Sequence, residues 1–324
     1  MPDERAKMVL SICGVTVELD LPRGYPFLFK RLSVKVRDYI SSEEPLIRLK
    51  IIPSPAGAVS FSPEVRGRVK AYFLRTCRKF PVLGDTLITE SYIRDIFSCA
   101  GLEAGTVIDS AGGDPERLLL YSGPEEALVY DRETARGMLF MGENKMYFGD
   151  ISCVFNALLM QLASLLVRRG TFFLHGCVLS SKYKAYMLLG PSGSGKSTAC
   201  RLAKGYTVIS DDILPVIPRK GKVSVYTVPF GQRNDIPGPG EIDIPLKAVF
   251  FVHKDRKTCI SEEKRSAALS RMLKNHVHFA MFYNREETRG LFRSLSRFAQ
   301  NVPFYNMRFE KNKKFLDLIE GLKL

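Results

Sequence analysis

The chain has 324 residues, with 48 Lys and Arg against 34 Asp and Glu, a formal charge of +14. It is 45% hydrophobic and 25% charged, the profile of a globular protein, which excludes disordered, collagen-like and membrane-embedded classes. The length predicts two domains, each able to bury its own core. The basic excess is uneven. Residues 1–150 carry 20 Lys and Arg against 21 Asp and Glu, and residues 151–324 carry 28 against 13. Net charges of −1 and +15 point to two units with different work. A basic excess of this size suits nucleic acid, an anionic surface or a small anionic substrate.

The seven cysteines stand far apart without C-x-x-C spacing. That spacing predicts reduced thiols and no structural zinc site. The charged N-terminus MPDERAKM lacks the apolar core of a signal peptide. A cytoplasmic protein that does not enter a membrane is expected, and a homo-oligomer is compatible with the composition.

In chain order, Leu10–Leu19 and Leu46–Ile52 have strand character, and Leu28–Ile40 has helical periodicity. Pro53–Pro63 and Gly101–Pro115 are loops. Leu118–Tyr121, Ala127–Tyr130 and Gly137–Tyr147 are further short strands. The first half is therefore expected to be a smaller α+β domain, and its scattered acids carry no visible chemistry. Ile151–Val167 is the most apolar run. It is short for a membrane span, and its apolar residues recur at helical spacing, so a buried helix is expected. Thr171–Ser180 and Lys184–Leu189 form a hairpin turning at Ser181–Tyr183. Strands are expected at Thr207–Ser210, Val223–Val228 and Leu246–Val252, and helices at Ala267–Asn275, Glu286–Ala299 and Lys314–Leu322.

The sequence Gly190-Pro191-Ser192-Gly193-Ser194-Gly195-Lys196-Ser197 matches G-x-x-x-x-G-K-[ST] at every fixed position. A strand precedes it and a short helix from Thr198 follows, the context a phosphate-binding loop needs. Glycines let successive N–H groups turn inward on phosphate oxygens, and the helix start adds its positive end. Gly190, Ser192, Gly193, Ser194, Gly195, Lys196, Ser197 and Thr198 are the expected nucleotide contacts. Lys196 bridges the outer phosphates and Ser197 holds Mg²⁺.

The next strand, Tyr206–Ser210, is expected to run parallel to the one before the loop. Its carboxyl end, where ligands bind in α/β sheets, carries Asp211-Asp212. Two adjacent carboxylates can divide two tasks, one on the metal and one taking a proton from an acceptor hydroxyl. A hairpin centred between Lys182 and Tyr183 sets His175 opposite Gly190, close to the phosphates. His253, His276 and His278 have no such context and are expected to be structural.

These residues resemble a known family. Phe172-Phe173-Leu174-His175-Gly176, the loop Gly190–Ser197 and Val208-Ile209-Ser210-Asp211-Asp212 look like the core of HPr kinase/phosphorylase and its relatives. The resemblance covers about Ile151 to Val252. It implies an α/β fold with a P-loop core and a mixed sheet of the phosphoenolpyruvate-carboxykinase/HPr kinase type, with ATP and Mg²⁺ as cofactors. It further implies His175 assisting an acid/base Asp, with Asp211 as base and Asp212 with Ser197 on the metal. Thr198 stands where the family carries Glu, and the family's C-terminal signature is absent. Both departures speak against HPr as the substrate. The first half and Pro229-Phe230-Gly231-Gln232 look more like divergent relatives in peptide-modification gene cassettes, which include serine kinases.

Arg233 and Lys247 are candidate cations for the transferring phosphoryl. Arg285, Arg289, Arg293 and Arg297 recur every four residues on one expected helix, with Leu291, Phe292, Leu295 and Phe298 on another face. No nucleic-acid module accompanies the stripe, so nucleic acid is not the expected partner. Two functions are expected to compete. One is a Mg-ATP-dependent kinase acting on a serine hydroxyl of a peptide, protein or small molecule. The other is a non-catalytic nucleotide-binding partner in a peptide-modification or regulatory complex.

Overall fold

The computed structural model describes residues 5–54, 116–123, 126–181, 184–191, 193–210, 212–220, 222–229, 241–242 and 246–322. The loops expected at 53–63 and 101–115 lie outside them from residue 55 onward. The protein is α/β, built on two mixed sheets. The chain divides into two compact units, Met1–Leu165 with Met281–Arg285, and Leu166–Ala280 with Glu286–Leu324.

The first unit holds a sheet in the order β1-β2-β3-β6-β5-β4, made of β1 (Arg5–Ile12), β2 (Val15–Pro22), β3 (Ile47–Ser54), β4 (Leu118–Gly123), β5 (Glu126–Asp131) and β6 (Arg136–Gly142). The run expected to be one strand, Leu10–Leu19, is a hairpin. Cys13 and Gly14 at its turn have φ of 55° and 68°, as a tight two-residue connection requires. Helix α1 (Pro26–Val36) buries Leu28, Leu32 and Val36. The strand expected to reach Tyr147 stops at Gly142, and Glu143–Tyr147 is the short helix α2. Helix α3 (Ile151–Arg168) follows. Among the described residues it is the one helix long and apolar enough to cross a membrane. Val154, Leu158, Leu162 and Val167 on it are wholly buried in the protein, as a core helix requires.

The second unit is organised around β7 (Phe172–Ser181) and β8 (Lys184–Leu189). Their register pairs Gly176 with Leu189 and Ser181 with Lys184, as the hairpin predicted. β8 continues in parallel into β13 (Leu246–Lys254), and β13 into β15 (Phe304–Phe309). β14 (Cys259–Glu262) closes that side antiparallel. On the other edge of β7 runs a broken strand. Its first part, β9 (Thr207–Ser210), pairs with Val178–Ser180, and its second, β10 (Ile213–Arg219), pairs with Phe172–His175. β11 (Lys222–Tyr226) and β12 (Glu241–Ile242) extend the sheet outward. β9 therefore runs in the same direction as β8, as expected, but β7 lies between them. Pro215 and Pro218 lie within β10, and such residues ordinarily argue against an inner strand.

Helices cover both faces. α4 (Lys196–Leu202) and α7 (Lys314–Glu320) bury Ala199, Cys200, Phe315 and Ile319 against Leu188, Phe250 and Met307. On the opposite face lie α5 (Arg265–Asn275) and α6 (Arg285–Asn301). Phe298 of α6 packs edge-on against Phe172 and Phe304, with ring centroids 5.6 and 6.0 Å away. Layers of this kind give one continuous core per unit.

Gly176 has no room for a side chain. A Cβ there would lie 2.6 Å from Leu189 Cδ2 and 2.9 Å from the Leu188 carbonyl oxygen. Gly176→Ala is expected to cost about 1–3 kcal/mol of unfolding free energy, measured as a lower urea midpoint at an unchanged m-value.

Candidate active site

The glycine-rich loop leaves β8 at its carboxyl end. Gly193 and Gly195 take φ of 77° and 108°, a left-handed conformation that residues with a Cβ avoid. Gly195 also packs against Phe309, whose ring would lie 3.2 Å from a Cβ. The loop then enters α4. Ser197 is exposed and Thr198 half-buried, whereas Ser194 and Lys196 are buried. Lys196 Nζ donates to the carbonyls of Gly190 at 2.6 Å and Pro191 at 3.1 Å. Burial pushes its ammonium below the ordinary lysine range. Among the described residues Ser194 Oγ is buried with no hydrogen-bond partner.

His175 occupies β7 one place beyond the last β7–β8 pair, level with Gly190. Asp212 sits in the break between β9 and β10. The Gly176 N–H donates to the Asp212 carbonyl at 2.7 Å, which fixes the backbone of the break against β7. The two side chains meet, with His175 Nδ1 3.1 Å from Asp212 Oδ1. That hydrogen bond holds the Asp212 carboxyl below the usual range, against the upward push of burial; the positive charge of Lys196 adds to it.

Two further histidines, expected to be structural, lie beside this pair. Residues 276–278 lie along the edge of β7 that β8 has left. The His175 N–H donates to the His276 carbonyl at 2.8 Å, and the His278 N–H donates to the Phe173 carbonyl at 2.9 Å. His278 Nε2 is 3.4 Å from His175 Nδ1. Burial pushes the imidazoles of His276 and His278 down to about 4. Both ring nitrogens of His276 are buried without partners among the described residues.

Other expected residues fall differently. Ser192, Asp211 and Arg233 lie outside the described residues. Lys247 does not lie beside the loop. It follows Leu246, which is level with Ala185 at the start of β8, so it sits at the far end of the strands from the loop. Lys254, at the carboxyl end of β13, is beside the loop instead, with its Cγ 3.7 Å from where a Cβ on Gly195 would stand. On α6, Arg289, Arg293 and Arg297 are exposed, and Leu291, Leu295 and Phe298 are buried. Phe292 does not share that inner face; it is 52% exposed. Glu286 and Glu287 both face Arg168, at 3.4 Å.

The arrangement can bind phosphate oxygens through buried donors and can take a proton at an oriented imidazole. A solved structure similar to this chain is the HPr(Ser) kinase/phosphatase from Coxiella burnetii, at 10% identity over 46% of this chain and 86% of that one, with a TM-score of 0.24. No curated protein matches the sequence. The family described as "SynChlorMet cassette protein ScmC" matches residues 149–323, more than half of the chain and all of the site described above. The chain belongs to the SynChlorMet cassette protein ScmC family.

Proposed function

We propose that the second unit is a Mg-ATP-dependent kinase of the phosphoenolpyruvate-carboxykinase/HPr kinase type of P-loop fold. Its acceptor is a serine hydroxyl on a peptide, protein or small molecule, and it works in the cytoplasm. The observation that carries the reading is the contact of His175, on β7, with Asp212, in the break between β9 and β10, together with a loop that holds a buried lysine. A nucleotide sensor has no use for an oriented imidazole.

The residues fit the nucleotide. Ser194 Oγ lacks a partner among the described residues, and Lys196 Nζ rests on loop carbonyls that it can exchange for phosphate oxygens. Bound Mg-ATP supplies the phosphoryl group and a cation that draws charge from it. Lys196, Ser194 and the loop N–H groups hold the phosphates. Asp212 was expected on the metal, but its Oδ1 is engaged by His175. We therefore assign Ser197 and Asp211 to the metal, and Asp212 to orienting the imidazole. An ionised carboxylate only accepts hydrogen bonds, so His175 carries its proton on Nδ1. Nε2 is left to take the hydroxyl proton. Membership in a family of cassette proteins agrees with an acceptor encoded nearby.

The test incubates the protein with Mg-ATP and serine-containing peptides and follows added phosphate by mass spectrometry. Transfer is expected. Tight Mg-ATP binding with neither transfer nor hydrolysis would instead favour a non-catalytic nucleotide-binding partner.

A further inference from the structure

We infer that His278 is a positioning residue: together with Asp212 it holds the His175 imidazole so that Nε2 faces the acceptor hydroxyl. The inference rests on the kinase reading and adds a residue to its machinery.

Two atoms converge on one nitrogen. His175 Nδ1 is 3.1 Å from Asp212 Oδ1 and 3.4 Å from His278 Nε2. The proton on His175 Nδ1 is therefore shared between a carboxylate oxygen and an imidazole nitrogen. His278 Nε2 must present a lone pair, so His278 is neutral and protonated on Nδ1. Its burial favours the same neutral state.

His278 is itself held. Its ring lies between His175, with centroids 5.5 Å apart and planes at 43°, and Phe279, at 5.1 Å. Its N–H is bonded to Phe173, two residues before His175 in β7. The two imidazoles thus ride on one backbone frame. A half-turn of the His175 ring would put a C–H where Nδ1–H stands. Asp212 alone opposes that turn with one hydrogen bond. With His278 present, the turned ring forfeits two.

The test compares His278→Phe, which keeps a ring but removes the nitrogen, with His278→Gln, which returns an acceptor near the place of Nε2. Histidine tautomers are read by long-range proton–nitrogen NMR. Mg-ATP hydrolysis is measured with water as the acceptor. The wild type and His278→Gln are expected to show His175 as a single Nδ1–H tautomer, and His278→Phe a mixture. kcat is expected to fall about tenfold in His278→Phe with KM within about twofold, and to recover to within about threefold in His278→Gln. A single Nδ1–H tautomer in His278→Phe would overturn the inference, as would equal losses of kcat in both variants. Should His278→Phe fold poorly, His278→Asn, whose acceptor falls short, replaces it with the same expected outcome. A wild type that neither hydrolyses Mg-ATP nor phosphorylates serine peptides would sink the kinase reading, while the tautomer spectrum would still decide the role of His278.

Discussion

Asp212→Asn is expected to lower phosphoryl transfer by about 10²–10⁴-fold while leaving Mg-ATP affinity within about threefold. The substitution keeps the shape of the side chain and removes its charge. In the wild type that charge stands 3.1 Å from the His175 ring. In the proposed mechanism the ring becomes a cation when the hydroxyl proton arrives on Nε2, and the carboxylate would stabilise it. Two unit charges at such a distance interact by several kcal/mol even at an effective dielectric of about 20. A loss of 10²–10⁴ corresponds to about 3–5.5 kcal/mol of barrier, so the charge is large enough to account for it. An amide also accepts the Nδ1–H less well and can donate to the bare nitrogen, which favours the wrong tautomer. Single-turnover transfer and nucleotide titration separate the two quantities. Transfer within about threefold of wild type would remove Asp212 from the mechanism. If Asp211→Asn were then the inactive variant, the assignment implied by the family resemblance would hold instead.

The parts of the site carried by neighbouring residues were legible in the sequence. Gly190–Ser197 folds as a local motif, and its strand and helix follow from the apolar runs on either side. The His175 register followed from a two-residue turn, because a hairpin of fixed turn length has only one pairing. Contacts closed over long loops were not legible. His278 reaches His175 from 103 residues away, and nothing local distinguishes it from a core histidine. The insertion of β7 between β8 and β9 is a property of the sheet, and a strand–helix–strand pattern does not reveal which strand intervenes. β10 was hidden by Pro215 and Pro218, and the β1–β2 hairpin by a turn built on Cys13, an unusual residue for a left-handed φ.

The charge asymmetry takes on a different meaning at this level. The second half carries +15, but its cations are put to different uses. Arg168 faces Glu286 and Glu287, and Arg308 lies 3.4 Å from Asp255. Arg271 lies over the Phe251 ring at 4.3 Å and bonds Asn306 and His253. Arg289, Arg293 and Arg297 face solvent. Among the described residues, Lys196 and Lys254 lie at the loop. These arginines belong to surface and scaffold, and the proposed phosphate chemistry would rest on the buried ammonium of Lys196.

Lys196→Met tests that dependence. Methionine is close to lysine in length and fills the same buried space, so a core defect is not the expected consequence. What is lost is the donor to the Gly190 and Pro191 carbonyls and the only buried positive charge in the loop. A charge-assisted hydrogen bond contributes about 1.5–3 kcal/mol, and a lysine bridging two phosphates makes at least two. Mg-ATP affinity is expected to fall at least about 100-fold. At a nucleotide concentration of about 100 Kd the wild type gains about 2.7 kcal/mol of stability from binding; at 100-fold weaker affinity the gain is about 0.4 kcal/mol. Thermal unfolding with and without Mg-ATP reads this directly. The wild type is expected to rise by about 5–10 °C and Lys196→Met by about 1 °C, with similar midpoints in the absence of nucleotide. Equal rises would show that the loop does not bind phosphate through Lys196. A midpoint much lower than wild type without nucleotide would show that the ammonium holds the loop together rather than awaiting a ligand.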